Sequence, residues 1–404
     1  MEFKPVKVAI IGSGMINYIY SKTLKLGGFS IVDYVGCSDL IPEKSKARSE
    51  LFGVRQMTTE EILSDPEIEI VLDCTQIWNH NAVNKMILDA GKHVYSEKSF
   101  GHTLEGAKAN YELAKSKGLR IGSAPDCYMG AAYQTARKLI DDGMIGVPLF
   151  AQAFCFRAYA GYESETDVSG HIGGTEGCTI TYDMGPYYIN ALVSLFGSVN
   201  RVSGYNRYFD SHVYTNPRHP KYKQPVDKQT GQTLMMGCLE FESGLYASMT
   251  MCSNGFGDEI PRVEVYGTEG TLNIPDPDHF GGNNDRHILL TRTGNRETYV
   301  MPITHGFADL DANLPTLTGK YEACYYSHRG VAVVDMAWAI RRNRLHRSNG
   351  ELALHAVEII DAIGKSHLDN KVYTMETRPG RPAPLTPGCF GKSAEFSIDN
   401  IAGE

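Results

Sequence analysis

The first third of the chain alternates short apolar runs with longer stretches in which apolar residues recur at helical spacing. "VKVAIIG", "IVDYVGCSD", "IEIVLDCT", "KHVYSE" and "LRIGSA" read as five strands, and helices fill the gaps between them. "TTEEILSD" carries capping-box spacing from Thr58 to Glu61. "NHNAVNKMILDAGK" stops at Gly91, and "TLEGAKANYELAKSKG" opens on a capping Thr103 and stops at Gly118. Strands that alternate with helices predict a parallel, doubly wound α/β sheet, here over residues 1–124.

After Pro148 the pattern changes. A helix over "AYQTARKLIDDGMIG" bridges to strand-like segments that follow one another: "PLFAQAFCFRAY", "VNRVSGYNRYF", "TLMMGCLEFESG", "LYASMTMCSN", "PRVEVYGTEG" and "TLNIPD". The ESG turn between two of them predicts an antiparallel hairpin. Residues 125–375 therefore read as an α+β domain on a largely antiparallel open sheet, with helices at about 184–196, 328–342 and 350–366. Residues 206–232 read as a long loop. Residues 376–404 form a proline-rich tail, expected to be extended and either to wrap over a neighbour or to stay mobile.

Composition narrows the function. With 404 residues, 42% apolar and 21% charged, the chain has the make-up of a soluble two-domain protein. A formal charge of −8 argues against nucleic acid, which is bound through basic patches. No apolar run is long enough to span a membrane, and the N-terminus enters a strand without a signal core, so a cytoplasmic location is expected. Nine cysteines without CxxC spacing, and thirteen histidines without HExxH, carry no disulfide framework and no metal signal. An antiparallel sheet with one open face predicts a homodimer or homotetramer formed through that face.

"IGSGMIN" places Gly12 and Gly14 directly after the first strand, with Met15 and Ile16 opening a helix. A glycine at the first position allows the tight turn; at the second it lets backbone amides approach a pyrophosphate at the helix N-terminus. The third position is Asn17, where such turns commonly have glycine or alanine. The second strand ends in Asp39, whose carboxylate suits the ribose hydroxyls of NAD and would repel a 2′-phosphate; Lys44 and Arg48, close by in sequence, keep NADP open. Ligands of such sheets bind at the carboxyl ends of the strands, here "CTQIWNH" (74–80) and "YSEKSF" (95–100). Thr75, Gln76, His80, Glu97 and Lys98 are therefore expected to line the cofactor.

Together these residues resemble the family of glucose-fructose oxidoreductase, inositol dehydrogenase and MocA (Gfo/Idh/MocA) from Val6 to about residue 375. "CTQIWNH" resembles its Thr-Pro…His segment with Gln76 for proline, and "EKS" its Glu-Lys-Pro motif with Ser99 for proline. "YDMGPYY" resembles its Asp-x-Gly motif, followed by histidine or tyrosine four residues after the aspartate, and "EVYGTEGTL" belongs to its sheet. The resemblance implies an NAD-binding Rossmann domain and a carbohydrate-binding domain. It also implies that Lys98, Asp183 and Tyr187 converge on a reacting hydroxyl beside the nicotinamide. "APDCYMG" departs from the family's Asn-x-Arg segment and puts Asp126 and Tyr128 in cofactor- and substrate-binding places. Arg157, in "FCFRAYAGY", is a further substrate-binding candidate, together with Tyr159.

The expected reaction moves hydride between the nicotinamide and a secondary ring hydroxyl of a sugar, glycoside or cyclitol, a 3-keto sugar being one product. A phenol ionises near ~10, so making Tyr187 a base at neutrality requires about 4 kcal/mol in favour of phenolate. Lys98 is expected to supply it, provided it sits closer to Tyr187 than Asp183 does. Three alternatives stay open: a glycosidase that oxidises the ring transiently, an aldehyde or imine reductase, and an NAD-binding regulator without turnover.

Overall fold

The computed structural model describes residues 3–156, 180–207, 224, 234–252, 262–281, 287–294, 296–308 and 328–399. The five apolar runs form β1 (Val6–Ile11), β2 (Val32–Ser38), β4 (Ile68–Asp73), β5 (His93–Ser96) and β6 (Ile121–Ser123). A two-residue edge strand, β3 (Arg55–Gln56), is too short to show in a hydropathy pattern. All six pair in parallel in the order β3-β2-β1-β4-β5-β6. The order reverses direction beside β1, and the crevice at that point is where such sheets bind ligands. Near-continuous apolar runs are what strands covered on both faces require.

Helices α1 (Met15–Leu26), α2 (Pro42–Phe52), α3 (Thr59–Ser64), α4 (His80–Asp89) and α5 (Leu104–Ser116) connect them. The expected capping box is formed: Thr58 accepts from the Glu61 amide at 3.1 Å, and Glu61 from the Thr58 amide at 2.7 Å. Thr103 caps α5 by accepting from the Gly106 amide.

Helix α6 (Ala131–Asp141) leads into a nine-stranded sheet, and the two expected hairpin runs are β9 (Leu234–Phe241) and β10 (Tyr246–Cys252), antiparallel. The remaining strands are β7 (Pro148–Phe156), β8 (Val199–Arg207), β11 (Val263–Gly267), β12 (Gly270–Ile274), β13 (Ile288–Arg292), β14 (Thr298–Met301) and β15 (Tyr373–Thr374). Their order is β14-β13-β12-β11-β7-β10-β9-β8-β15, with β7 and β10 the one parallel pair among them. Burial alternates along β7, β9 and β10, so one face packs on helices and the other is partly open. Most of the expected 206–232 loop lies outside the described residues.

Helix α7 (Ile180–Phe196) opens earlier than the expected residue 184 and carries Pro186 in its interior rather than in its first turn. Interior proline costs an α-helix about 3 kcal/mol. Here the helix is buried against helix α9 (Gly350–Asp369), and a Cβ on Gly185 would stand 3.0 Å from Ile360. Gly185 thus permits a close approach, and packing overrides local propensity.

Two further departures concern the end of the chain. Helix α8 (Val331–Arg342) follows β14 of the second sheet in sequence but lies on the first domain. There Arg341 pairs with Glu69 at 2.6 Å and donates to Lys4 O, and Trp338 meets Phe3 edge-on at 5.8 Å. The described part of the tail packs on its own chain. Proline-rich backbone offers carbonyls with few N–H groups. The buried Arg347 donates to the carbonyls of Ala383 and Pro384, and Gln134 accepts from the Leu385 amide. A last helix, α10 (Ala394–Asp399), reaches the first domain, where Glu395 accepts from the amides of Ser30 and Ile31.

Candidate active site

The turn after β1 shows why its glycines stand where they do. Gly12 has φ +95°, and a Cβ there would lie 2.6 Å from Cys74 O, so no other residue fits without distortion. Gly14 opens α1, a twelve-residue helix with no side-chain cap, and a Cβ on it would meet no protein atom within 4 Å. The amides of the first turn are thus approachable by an anionic group. Met15 is 61% exposed beside them, and Ile16 is half-buried.

Asn17, the departure at the third position, is fully buried and donates to Gly12 O at 2.8 Å, while Ser21 donates to its Oδ1 at 2.9 Å. The amide side chain braces the turn from inside. Half-buried Asp39 accepts from the amides of Ser13 at 2.7 Å and Ile41 at 2.8 Å, which anchors its carboxylate at the mouth of the crevice. Arg48 is buried, donates to Gly14 O and lies 5.3 Å from the Tyr18 ring, whereas Lys44 is exposed. A phosphate-clasping role for Arg48 would cost these contacts. The glycine turn, the uncapped helix and the anchored acid fit a dinucleotide.

The next two strand ends are tied to each other. Thr75 donates through its amide and its hydroxyl to buried Asp73, and exposed Gln76 starts the following turn. Burial pushes the Asp73 carboxyl up. His80, 1% exposed, lies between two carbonyls, Ser99 O at 2.8 Å and Thr75 O at 3.2 Å. It therefore links the 74–80 segment to the loop that carries Lys98. Glu97, also buried, accepts from Tyr20 OH of α1 at 2.7 Å and from the Lys98 amide at 2.9 Å. The glycine-turn helix and the lysine loop are thus joined by one carboxylate.

Lys98 leaves this loop for the second domain, where its Nζ donates to Asp183 Oδ1 of α7 in an ion pair that is only about one-sixth exposed at either end. Tyr187 is one helical turn on, on the same face. Its ring centroid is 5.6 Å from Lys98 Nζ and 5.3 Å from the guanidinium carbon of Arg329. The three expected residues do come together. The expected ionisation does not follow, because burial pushes the Tyr187 phenol well above its usual value. The strongest opposing charge is Arg329, not Lys98.

Arg329 went unrecognised in the sequence, as did its ion-pair partner Asp278. The run "SHRGVAVV" has no local mark that separates this arginine from a surface one; only the fold brings it to Tyr187.

Two expected ligands are placed elsewhere. Asp126 has no exposed surface, and its Oδ2 accepts from the amides of Gly330 and Ala332 at 2.8 and 3.0 Å, capping α8. Burial pushes this carboxyl up to about 6. It anchors the helix that follows Arg329 instead of facing the crevice. Tyr128 is buried within the core, its carbonyl accepting from the Gln134 side-chain amide at 3.0 Å. Arg157 and Tyr159 lie outside the described residues.

Residues 6–124 match the oxidoreductase family with NAD-binding Rossmann fold, and residues 133–273 the GFO/IDH/MocA C-terminal domain. An uncharacterized oxidoreductase of Schizosaccharomyces pombe is 30% identical over 197 residues, 48% of this chain and 53% of that protein. The scyllo-inositol 2-dehydrogenase (NAD(+)) of Bacillus subtilis is 27% identical over 276 residues, 67% of this chain and 73% of that one. The chain spans about half the length of the first curated relatives it matches. Levoglucosan dehydrogenase, solved in complex with NADH and levoglucosan, has the same fold: TM-score 0.73 at 20% identity, covering 93% of this chain and all of that one.

Proposed function

We propose, on the premise that the chain belongs to the Gfo/Idh/MocA family of NAD(P)-dependent oxidoreductases, that it interconverts a secondary ring hydroxyl and a ketone on a sugar, glycoside or cyclitol. NAD is the favoured cofactor, because the Asp39 carboxylate, which follows β2, would repel a 2′-phosphate. When bound, the nicotinamide supplies the hydride acceptor or donor. The chain's own residues manage the proton and the geometry.

The observation that carries this reading is the ion pair between Lys98 of the first domain and Asp183 of the second, beside Tyr187. A hydroxyl beside this pair would meet an ammonium that stabilises developing negative charge on oxygen, and a carboxylate that fixes the ammonium's direction. Glu97 and His80 hold the Lys98 loop from either side. Tyr187 exchanges the proton: protonated, as burial favours, it donates to oxygen during reduction, and in the reverse direction it takes the proton back. The B. subtilis relative named for scyllo-inositol and the levoglucosan complex support a polyhydroxylated ring as substrate class. A ring oxidised at its third carbon is one product of such chemistry.

NADH formation at 340 nm, across a panel of sugars, anhydrosugars and inositols, tests the proposal. Lys98→Met is expected to lower kcat by about 10³-fold while NAD binding, followed by fluorescence quenching, is retained. Near-normal turnover in that variant would refute the role of the pair.

The open face of the large sheet supports association with a second copy. Phe150 stacks on Tyr266 at 6.0 Å on that face, and Tyr205, Met236 and Tyr246 are each about half exposed or more. Light scattering is expected to give at least twice the chain mass; a monomer at micromolar concentration would count against it.

A further inference from the structure

We propose that Arg329 is a positioning residue for this reaction: with Lys98 it sets a second cation beside the Tyr187 ring and so brings the phenolate within reach in an enclosed site. The inference rests on the reading above, in which Tyr187 exchanges a proton with the reacting hydroxyl.

The geometry is set by three separate parts of the chain. The Arg329 guanidinium carbon lies 5.3 Å from the ring centroid and Lys98 Nζ 5.6 Å from it. Cations at this range from an aromatic ring are attracted to it, and more strongly once the ring carries charge. Arg329 precedes α8, whose first amides are held by Asp126, and its guanidinium is ion-paired to Asp278 in the segment after β12. Asp278 is itself fixed, its amide donating to Asp276 at 3.0 Å and its carbonyl accepting from the Cys127 thiol. The guanidinium is 15% exposed, so it has little freedom to turn away.

The groups that face Tyr187 among the described residues show why one cation matters. Asp183 lies a turn back on α7, Glu97 and Lys98 follow β5, Cys127 follows β6, Asp278 follows β12 and Arg329 leads into α8. The carboxylates and the burial all oppose phenolate; only the two cations favour it. Each cation is paired with a carboxylate, Lys98 with Asp183 and Arg329 with Asp278, so neither charge is in surplus. Without Arg329, a single neutralised ammonium would face the whole opposition.

The test does not need the natural substrate. A fluorinated tyrosine, which ionises in an accessible pH range, is placed at position 187 of the full chain, and its fluorine NMR shift is followed against pH. Arg329→Gln is expected to raise the midpoint by about one pH unit or more, and Arg329→Lys to bring it back towards the starting value. An unchanged midpoint in Arg329→Gln, or no return in Arg329→Lys, overturns the proposal. Should Arg329→Gln fail to fold, the charge-neutral pair decides: the Arg329→Gln/Asp278→Asn double variant is compared with Asp278→Asn alone, so that only the guanidinium differs, and a higher midpoint in the double variant supports the proposal while an unchanged or lower one overturns it. The underlying reading fails separately, if Tyr187→Phe still forms NADH from a sugar or inositol at the original rate.

Discussion

The glycine turn and the Lys98–Tyr187 cluster are reached from the carboxyl ends of β1 and β5 in the same sheet, yet they are built in opposite ways. The turn is local. Gly12, Gly14 and Asn17 fall within six residues, held from outside by Asp39 after the next strand and by Arg48, with the Cys74 carbonyl packed against Gly12. The cluster is assembled from four distant segments, contributing Lys98, Asp183 with Tyr187, Asp278 and Arg329. A local device can be damaged by one backbone clash. An assembled one depends on charges that balance only when all the segments arrive, so its weak point is electrostatic.

Perturbing each region separately sharpens the contrast. The largest expected effect is the roughly thousandfold loss of turnover in Lys98→Met, with cofactor affinity kept. Next is Gly12→Ala, which adds a Cβ at a left-handed φ and drives it into the Cys74 carbonyl. That substitution is expected to cost about 3 kcal/mol of stability, read by denaturant unfolding, together with most of the NAD affinity. A Gly12→Ala protein with unchanged affinity and stability would show that the turn is looser than its geometry implies.

The smallest effect tests the anchor beneath Arg329. The Asp126 carboxyl is held at about 6 in the folded chain, against about 3.9 when unfolded. Between these values the folded state binds more proton, so stability falls as pH rises through the window. Asp126→Asn keeps an oxygen that accepts from Gly330 and Ala332 and removes the titration. Wild type is therefore expected to lose about 2 kcal/mol relative to this variant from pH 4 to pH 6.5. Parallel stability curves for the two proteins would show that Asp126 is not titrating there.

Much of the fold was legible because its signals are periodic or punctuated. The five apolar runs became parallel strands, the Thr58 and Thr103 caps formed, and the ESG turn closed a hairpin. The misses have physical reasons. Pro186 reads as a first-turn residue, but burial against α9 carries the helix back to Ile180. The tail reads only as extended, wrapping a neighbour or mobile, because its partners within the chain, Arg347 and Gln134, are far away in sequence. Asp126 and Tyr128 follow the last strand of the first sheet, where ligand contacts are common, but they turn inward to a helix end and the core.

With the family resemblance pointing to Lys98, Asp183 and Tyr187, the residue order itself determined the alternation that makes a parallel sheet and the glycine turn with its acid. Such features depend on backbone torsion and on neighbours within a few residues, and both are written contiguously. Only the tertiary structure decided that Asp183 takes the lysine, that burial holds Tyr187 in its protonated form, and that Arg329 is the cation opposing it. Desolvation and Coulomb interaction act through space, and the distances they depend on exist only once the two domains have closed on one another.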